Sequence, residues 1–415
     1  MRSLTLMGAA EDLENDLPGE GDDVDVNVDI PSEVTDAERD VEETQGVIDD
    51  SSDDVEQLEA IKDVLEDAAE NGEGIDETAA KVVEVAVEGI YARLGIHTTN
   101  LMGSMESFSN ARTRVTATKI AAEAIGETIS KAWEAIRKFF KNLWEKIKEL
   151  YKSFMAGTLR LRHSAKAMRE KLARMGSVEK KEETFKDKSL ANAFCDKGGK
   201  VTAAGVSSQV DNTHSVLEGL QTVRDKVVDA LEGKKGAREA AAKEVFEAVN
   251  KIATKDRAKD FRGAVDSDHA TATEYLLGNR AIVFVMDAKE GGKSDDVKFD
   301  AYVETRKAKE KDEDISVFDL KELQKWCSDV VAICDKVDAL AKKDKDYDKI
   351  MRAIDKAAAV ADKKDNEGDS IGAATFRSLI KVNGKLATAP KSAALKGSYD
   401  LLRLVKRCAG MYKKD

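Results

Sequence analysis

The chain has 415 residues, with 67 Lys plus Arg against 80 Asp plus Glu, a net charge of −13. Three prolines and 27 glycines exclude collagen, four cysteines exclude a disulfide scaffold, and 5% aromatic residues suit helices better than an all-β sandwich. The length provides for one or two cores, but the average charge conceals a division. Residues 1–106 hold 31 acidic and 5 basic side chains, net −26, while residues 107–415 hold 49 acidic and 62 basic, net +13.

The apolar run within residues 1–10 is too short for a signal peptide. The longest later apolar patch, residues 281–286, falls far short of the roughly 20 residues a membrane span needs. Cys195, Cys327, Cys334 and Cys408 are scattered and read as reduced cytosolic thiols.

In chain order, residues 11–60 are predicted to be disordered: carboxylates repel one another and few apolar side chains offset the ordering entropy. Within them, Val24, Val26, Val28 and Ile30 alternate, as in a short strand or a segment that pairs with a partner. Helical spacing begins at Val55, Leu58, Ile61 and Leu65 and is broken by Asn71, Gly72 and Gly74. A second helix over 76–94 carries Val82, Val83, Val85, Val87, Ile90, Tyr91 and Leu94, too wide a stripe to remain unpacked, and ends at Gly95. Three readings of this acidic stretch stand side by side: a solvated tail, an acidic domain shielding the basic body, and a removable propeptide.

Residues 101–107 are rich in small side chains and lie between helical patterns, an exposed linker at the charge boundary. A long helix is predicted over about 116–159. Ile120, Ile125, Ile129, Trp133, Ile136, Phe140, Leu143, Ile147, Tyr151 and Phe154 form its apolar stripe, and Lys131, Arg137, Lys138, Lys141, Lys146, Lys148 and Lys152 supply a basic face. Arg160, Arg162 and Arg169 extend the basic run. Such a helix suits a bundle core, an anionic membrane surface or a row of phosphates.

Residues 177–200 read as a linker. Helices follow over 212–231 and 237–261, with a short one over 270–277. The period then changes: residues 280–286 and 297–303 are predicted as antiparallel strands, with 315–318 a third. Asp319 caps a helix to Leu340, with Glu322 at capping-box spacing. Two more helices are predicted over 347–361 and 395–411. The fold class is thus mostly α: a multi-helix body with a small antiparallel β insertion and a partly disordered acidic N-terminal leader. Its parts are a leader or propeptide (1–106), a basic amphipathic helical region (107–176), a linker or loop (177–211) and a helical body (212–415) with the β insertion near 280–318.

The pattern assigns no catalytic residue, metal ligand or cofactor. Four histidines share no ligand spacing with a cysteine or carboxylate, and Cys327 and Cys334, seven apart on one helix, read as core thiols. Gly198, Gly199 and Lys200, and Gly291 to Ser294, lack the spacing of a nucleotide-binding loop. Residues 362–369 lack the order of a calcium loop.

An acidic leader joined to a longer basic helical body resembles the precursor of an internal head protein of giant tailed bacteriophages. In that family the head-maturation protease cuts after Glu in a small-x-Glu triplet. Ser104, Met105 and Glu106, followed by Ser107, match that form at the charge boundary. Ser177, Val178 and Glu179 match it inside the basic part. The resemblance implies a non-enzymatic virion structural protein, packed with the prohead scaffold or core proteins and cut by the prohead protease. Its basic product would lie inside the capsid beside non-specific double-stranded DNA, after assembly in the host cytoplasm. Anionic contacts are then expected at Lys131, Arg137, Lys138, Lys141, Lys148, Arg160, Arg162 and Arg169. Two other readings remain: a membrane-active or toxin-like protein using helix 125–154, and a structural adaptor that is never processed.

Overall fold

The computed structural model describes residues 32–96, 102–176, 178–196, 198–232, 235–259, 261, 270–288, 297–306, 314–343, 349, 351–352 and 373–412. The first element is helix α1 (Ser32–Glu70), 39 residues long. The expectation of disorder over 11–60 therefore fails for residues 32–60. Val34, Val41, Ile48 and Val55 recur every seven residues, followed by Leu58, Leu65 and Ala69, and each is at most 4% exposed. Sparse apolar residues suffice to order a helix when all fall on one seam against a long apolar partner. Residues 11–31, with the alternating segment, lie outside the described residues.

Helix α2 (Glu77–Leu94) follows a tight turn. Asp76 caps it by accepting from the Ala79 amide at 2.8 Å, and Gly95 ends it with φ 66°. Its stripe is only half packed: Val87, Ile90, Tyr91 and Leu94 are buried, but Val82 and Val85 face solvent. After the one-turn helix α3 (Glu106–Ser109) comes helix α4 (Arg114–Arg174). Its 61 residues span ~90 Å and outrun the predicted end by four turns. Ile125, Ile129, Trp133, Ile136, Phe140, Leu143, Ile147 and Phe154 are buried as predicted, whereas Ile120 is exposed. Among the described elements the α1–α4 contact is the most extensive, and both helices belong to one continuous hydrophobic core.

The stretch 177–211, expected as a linker, is instead tied into that core. It contains strand β1 (Thr184–Lys186), helix α5 (Lys188–Phe194) and the start of helix α6 (Ala203–Glu232). The helix predicted from residue 212 starts earlier, so Thr213 lies within α6. Its Oγ1 donates to the Gln209 carbonyl at 2.7 Å and accepts from the Leu277 amide at 3.0 Å. Helix α7 (Lys235–Ile252) stops short of its predicted end and gives way to strand β2 (Ala253–Thr254) and helix α8 (Lys255–Ala258).

Residues 270–277 were expected to be helical; they begin with strand β3 (Ala270–Thr273), buried at all four positions. Pairing on both sides overrides the helix preference of alanine. Strands β4 (Arg280–Ala288) and β5 (Val297–Thr305) pair antiparallel over nine residues, Arg280 opposite Thr305 and Ala288 opposite Val297. The sheet order is β2-β3-β4-β5. On β4, Ile282, Phe284 and Met286 join the main core, and Ala281 and Val283 join a small second cluster with Phe261, the period-two division of a strand. Strand β6 (Asp314–Ser316) was expected in the same insertion but pairs with β1, placing Phe185 opposite Ile315.

Helix α9 (Leu320–Lys343) begins with one bond of the predicted capping box, the Asp319 amide donating to Glu322 Oε2 at 3.3 Å, while Asp319 Oδ1 lies 3.2 Å from Lys180 Nζ. The predicted helix 347–361 lies almost wholly outside the described residues. The predicted helix 395–411 is the end of a longer one, α10 (Ala373–Ala409), with Pro390 inside it. Next to the proline, Lys391 is 3% exposed. Its Nζ donates to the Ala387 carbonyl at 2.6 Å and to Tyr151 Oη at 3.3 Å, and burial pushes its pKa well below the usual lysine value. All four cysteines are buried free thiols, and burial raises Cys327 and Cys334 to about 12.

Candidate functional site

Charge and packing meet where α1 lies along α4 and α10. Helix α1 carries 16 acidic and 2 basic side chains, α4 carries 15 basic and 6 acidic, and α10 carries 8 basic and 1 acidic. The nets of −14, +9 and +7 nearly cancel. Val34, Val41, Ile48, Val55, Leu58 and Leu65 of α1 are buried in the shared core, and its carboxylates meet lysines on both neighbouring helices.

Asp40 lies 3.2 Å from Lys146 Nζ of α4. On α10, Lys381 Nζ is 3.4 Å and Lys385 Nζ 3.8 Å from Asp49, and Lys396 Nζ is 2.5 Å from Glu38. Ser392 also donates to Glu38. Lys385 reaches Asp300 of β5 at 2.7 Å, so α1, α10 and the sheet meet at one lysine. Gln45 donates to Asp49 at 2.9 Å and passes directly over Gly384, where an added Cβ would lie 2.3 Å from Gln45 Oε1. Burial raises the Glu38 and Asp49 carboxyls above their ordinary values despite the lysines that oppose it. At Lys381 burial acts downward, but Asp49 and Asp300 outweigh it and the pKa is raised.

The expected anionic-contact residues do not form one surface. Lys131, Arg137, Lys138, Lys141, Lys148, Arg160 and Arg169 are exposed along α4. Lys148 pairs with Glu145 at 2.9 Å, and Arg169 donates to Ser328 Oγ at 3.4 Å. Arg162 is half-buried and held by Asp335 at 2.8 Å and by Asp338, both on α9. Lys381, Lys385 and Lys396 were missed. Their spacing of four and eleven residues puts them on one helical face, but of the three only Lys396 falls within the predicted helix 395–411.

The charge boundary is less free than a linker. Ser104 and Glu106 are exposed, yet Met102 is 3% and Phe108 0% exposed, pinning both flanks. The Ser107 amide donates to the Ser104 carbonyl at 3.0 Å. Thr113 Oγ1 donates to the Ser107 carbonyl at 2.8 Å and Arg114 Nε to that of Phe108 at 3.0 Å. The Glu106–Ser107 bond thus lies in a folded turn, and a protease that takes extended substrate must first open it.

The apolar face of α4, which a membrane-surface role requires, is covered by α1, α9 and α10. Among the described residues no helix is long and apolar enough to cross a membrane. Likewise no group of three or more His, Cys, Asp or Glu could hold a metal. The amides of Gly198 and Lys200 are occupied by Asp196 Oδ1 at 2.8 and 3.1 Å, so this glycine turn offers no phosphate cradle. Residues 291–294 and 362–369 lie outside the described residues. A cleft of about 600 Å³ is lined by Gln209, Arg257, Tyr275, Asn279 and Arg306, among others. Asn279, with φ 53°, is engaged in the fold there: Nδ2 donates to the carbonyls of Asn192 and Cys195 at 2.8 and 2.9 Å, and Oδ1 accepts from Gln209.

The family model for phiKZ-like phage internal head proteins matches residues 25–413. No curated protein and no solved structure matches the chain.

Proposed function

We propose a role from one premise: this chain belongs to the phiKZ-like phage internal head proteins. It enters the prohead with the scaffold or core proteins as an acidic-leader precursor. The prohead protease cuts after Glu106, and the basic helical product remains inside the capsid beside the genome. The role is electrostatic and mechanical rather than enzymatic. Duplex DNA is bound through phosphates without reading of bases, so affinity falls steeply with salt.

The docking of α1 carries this reading, because it gives the leader's charge a physical task. A −14 helix set against the two basic helices acts as a built-in polyanion. Cutting the chain removes none of its apolar contacts, each contributing about 1.5–3 kcal/mol. It removes only the tether, whose effective concentration for a short linker is on the order of millimolar. Release then becomes a contest between α1 and the concentrated phosphates of packaged DNA.

N-terminal sequencing of the protein from mature particles tests the processing step. A start at Ser107 is expected. Chains that still begin within the first 31 residues would contradict it and favour an unprocessed structural adaptor.

A further inference from the structure

We infer that Lys146, Lys381, Lys385 and Lys396 form a phosphate-binding surface for duplex DNA that α1 occupies in the intact chain. This rests on the DNA-associated role above and gives that role a location other than the outward basic face of α4.

The three α10 lysines fall within about 60° of one another around the helix and span ~22 Å along it. That length corresponds to about six base pairs of duplex. Each now faces a carboxylate of α1 or β5, and oxygen anions at salt-bridge distance are the positions phosphate oxygens would take. Asp400 is the one acidic residue of α10, and it pairs with Arg280 at 3.1 Å and Arg403 at 3.7 Å rather than with these lysines. Once α1 left, Asp300 would remain beside Lys385 at 2.7 Å and Glu149 beside Lys146 at 3.3 Å.

The α1 residues that cover the lysines all lie in its first half. There the buried seam mixes Val34, Val41 and Ile48 with Glu38, Gln45 and Ser52. The second half is held by Val55, Leu58 and Leu65. Lifting residues 32–54 therefore leaves the second-half contacts in place and takes the α1 carboxylates off all four lysines. The outward lysines of α4 need no uncovering, so they cannot make DNA binding depend on the leader.

The test uses the full chain with a site-specific protease sequence inserted between Ser104 and Met105. Intact and cut protein are titrated with a short duplex at several salt concentrations. The cut chain is expected to bind at least about tenfold more tightly than the intact chain at 0.1 M salt. Lys381→Gln, Lys385→Gln and Lys396→Gln together should weaken the cut chain at least about tenfold and flatten its log–log salt slope by up to about 3. Lysine-to-arginine changes at the same three positions should restore binding, which separates lost charge from lost folding. Lys131→Gln, Lys138→Gln and Lys141→Gln together should change binding less than about twofold. Equal binding by intact and cut chains overturns the inference, as does loss of binding in the outward triple variant but not in the α10 one. A cut chain that binds no duplex at low salt overturns the DNA-associated role as well, whereas a start at Ser107 in mature particles stands apart from both results.

Discussion

The two halves of α1 are held to the body in different ways. Residues 55–70 bury Val55, Leu58 and Leu65 fully in the shared core. Residues 32–54 bury Glu38, Gln45, Ser51 and Ser52 alongside their three large apolar residues and reach α10 through ion pairs. One half is a hydrophobic clamp that salt and competing anions barely affect. The other is a charged seam of carboxylates set against lysines. A strongly acidic segment can thus be part of a core and carry a row of interhelix ion pairs at once.

The largest effects should come from the clamp. Leu58→Ala and Leu65→Ala are each expected to cost about 3 kcal/mol in urea unfolding. Glu38→Gln and Asp49→Asn should each cost clearly less, because burial already raises both carboxyls and the amides keep an acceptor for their partners. If the two sets cost the same, the division within α1 is mistaken.

Next in size is an effect at the charge boundary. Phe108→Ala removes the anchor that holds the Glu106–Ser107 turn closed, and the rate of cutting there should rise at least about tenfold. An unchanged rate would mean that the turn opens freely without the phenylalanine leaving the core.

A smaller effect separates burial from pairing within the seam. Glu38 and Asp49 have raised values when folded, so the folded chain binds their protons more tightly than the unfolded chain. Each costs stability while ionised, and the cost disappears as pH falls through the folded value toward the ordinary 4.5 and 3.8. Wild type should therefore gain on the Glu38→Gln/Asp49→Asn double variant on acidification. If wild type loses ground instead, ion pairing dominates the seam and burial does not.

Lys391 sharpens the contrast with Lys396 on the same helix. Its lowered pKa means that the unfolded chain takes up the proton more readily, so the wild-type chain gains stability as pH rises toward 10.5. Lys391→Met should raise the unfolding midpoint at neutral pH, and the gain should shrink near pH 10.5. The smallest effect is salt: Asp40–Lys146 is substantially exposed, and 1 M salt should speed amide exchange in residues 32–54 by a few-fold but not in 55–70.

The legible parts of the sequence were those with dense periodicity. The α4 stripe, the strands β4 and β5 and the Asp319–Glu322 bond of the capping box follow from local spacing, and the structure contains each. Helix α1 was hidden because its first three buried apolar residues stand seven apart among carboxylates, which lowers hydropathy without abolishing the seam. Strand β3 was hidden because Ala270–Thr273 acquires its conformation from β2 and β4 rather than from its own propensity. The lysine row was hidden because it acquires meaning only from the carboxylates that α1 brings to it.

Hydrogen exchange of the intact chain at low salt tests the central claim most directly. If α1 shares the core with the basic body, the amides of residues 41–65 exchange as slowly as those of 125–154 in α4. If the acidic segment is a tail merely tethered to the body, those amides exchange at the rate of unstructured chain while α4 stays protected.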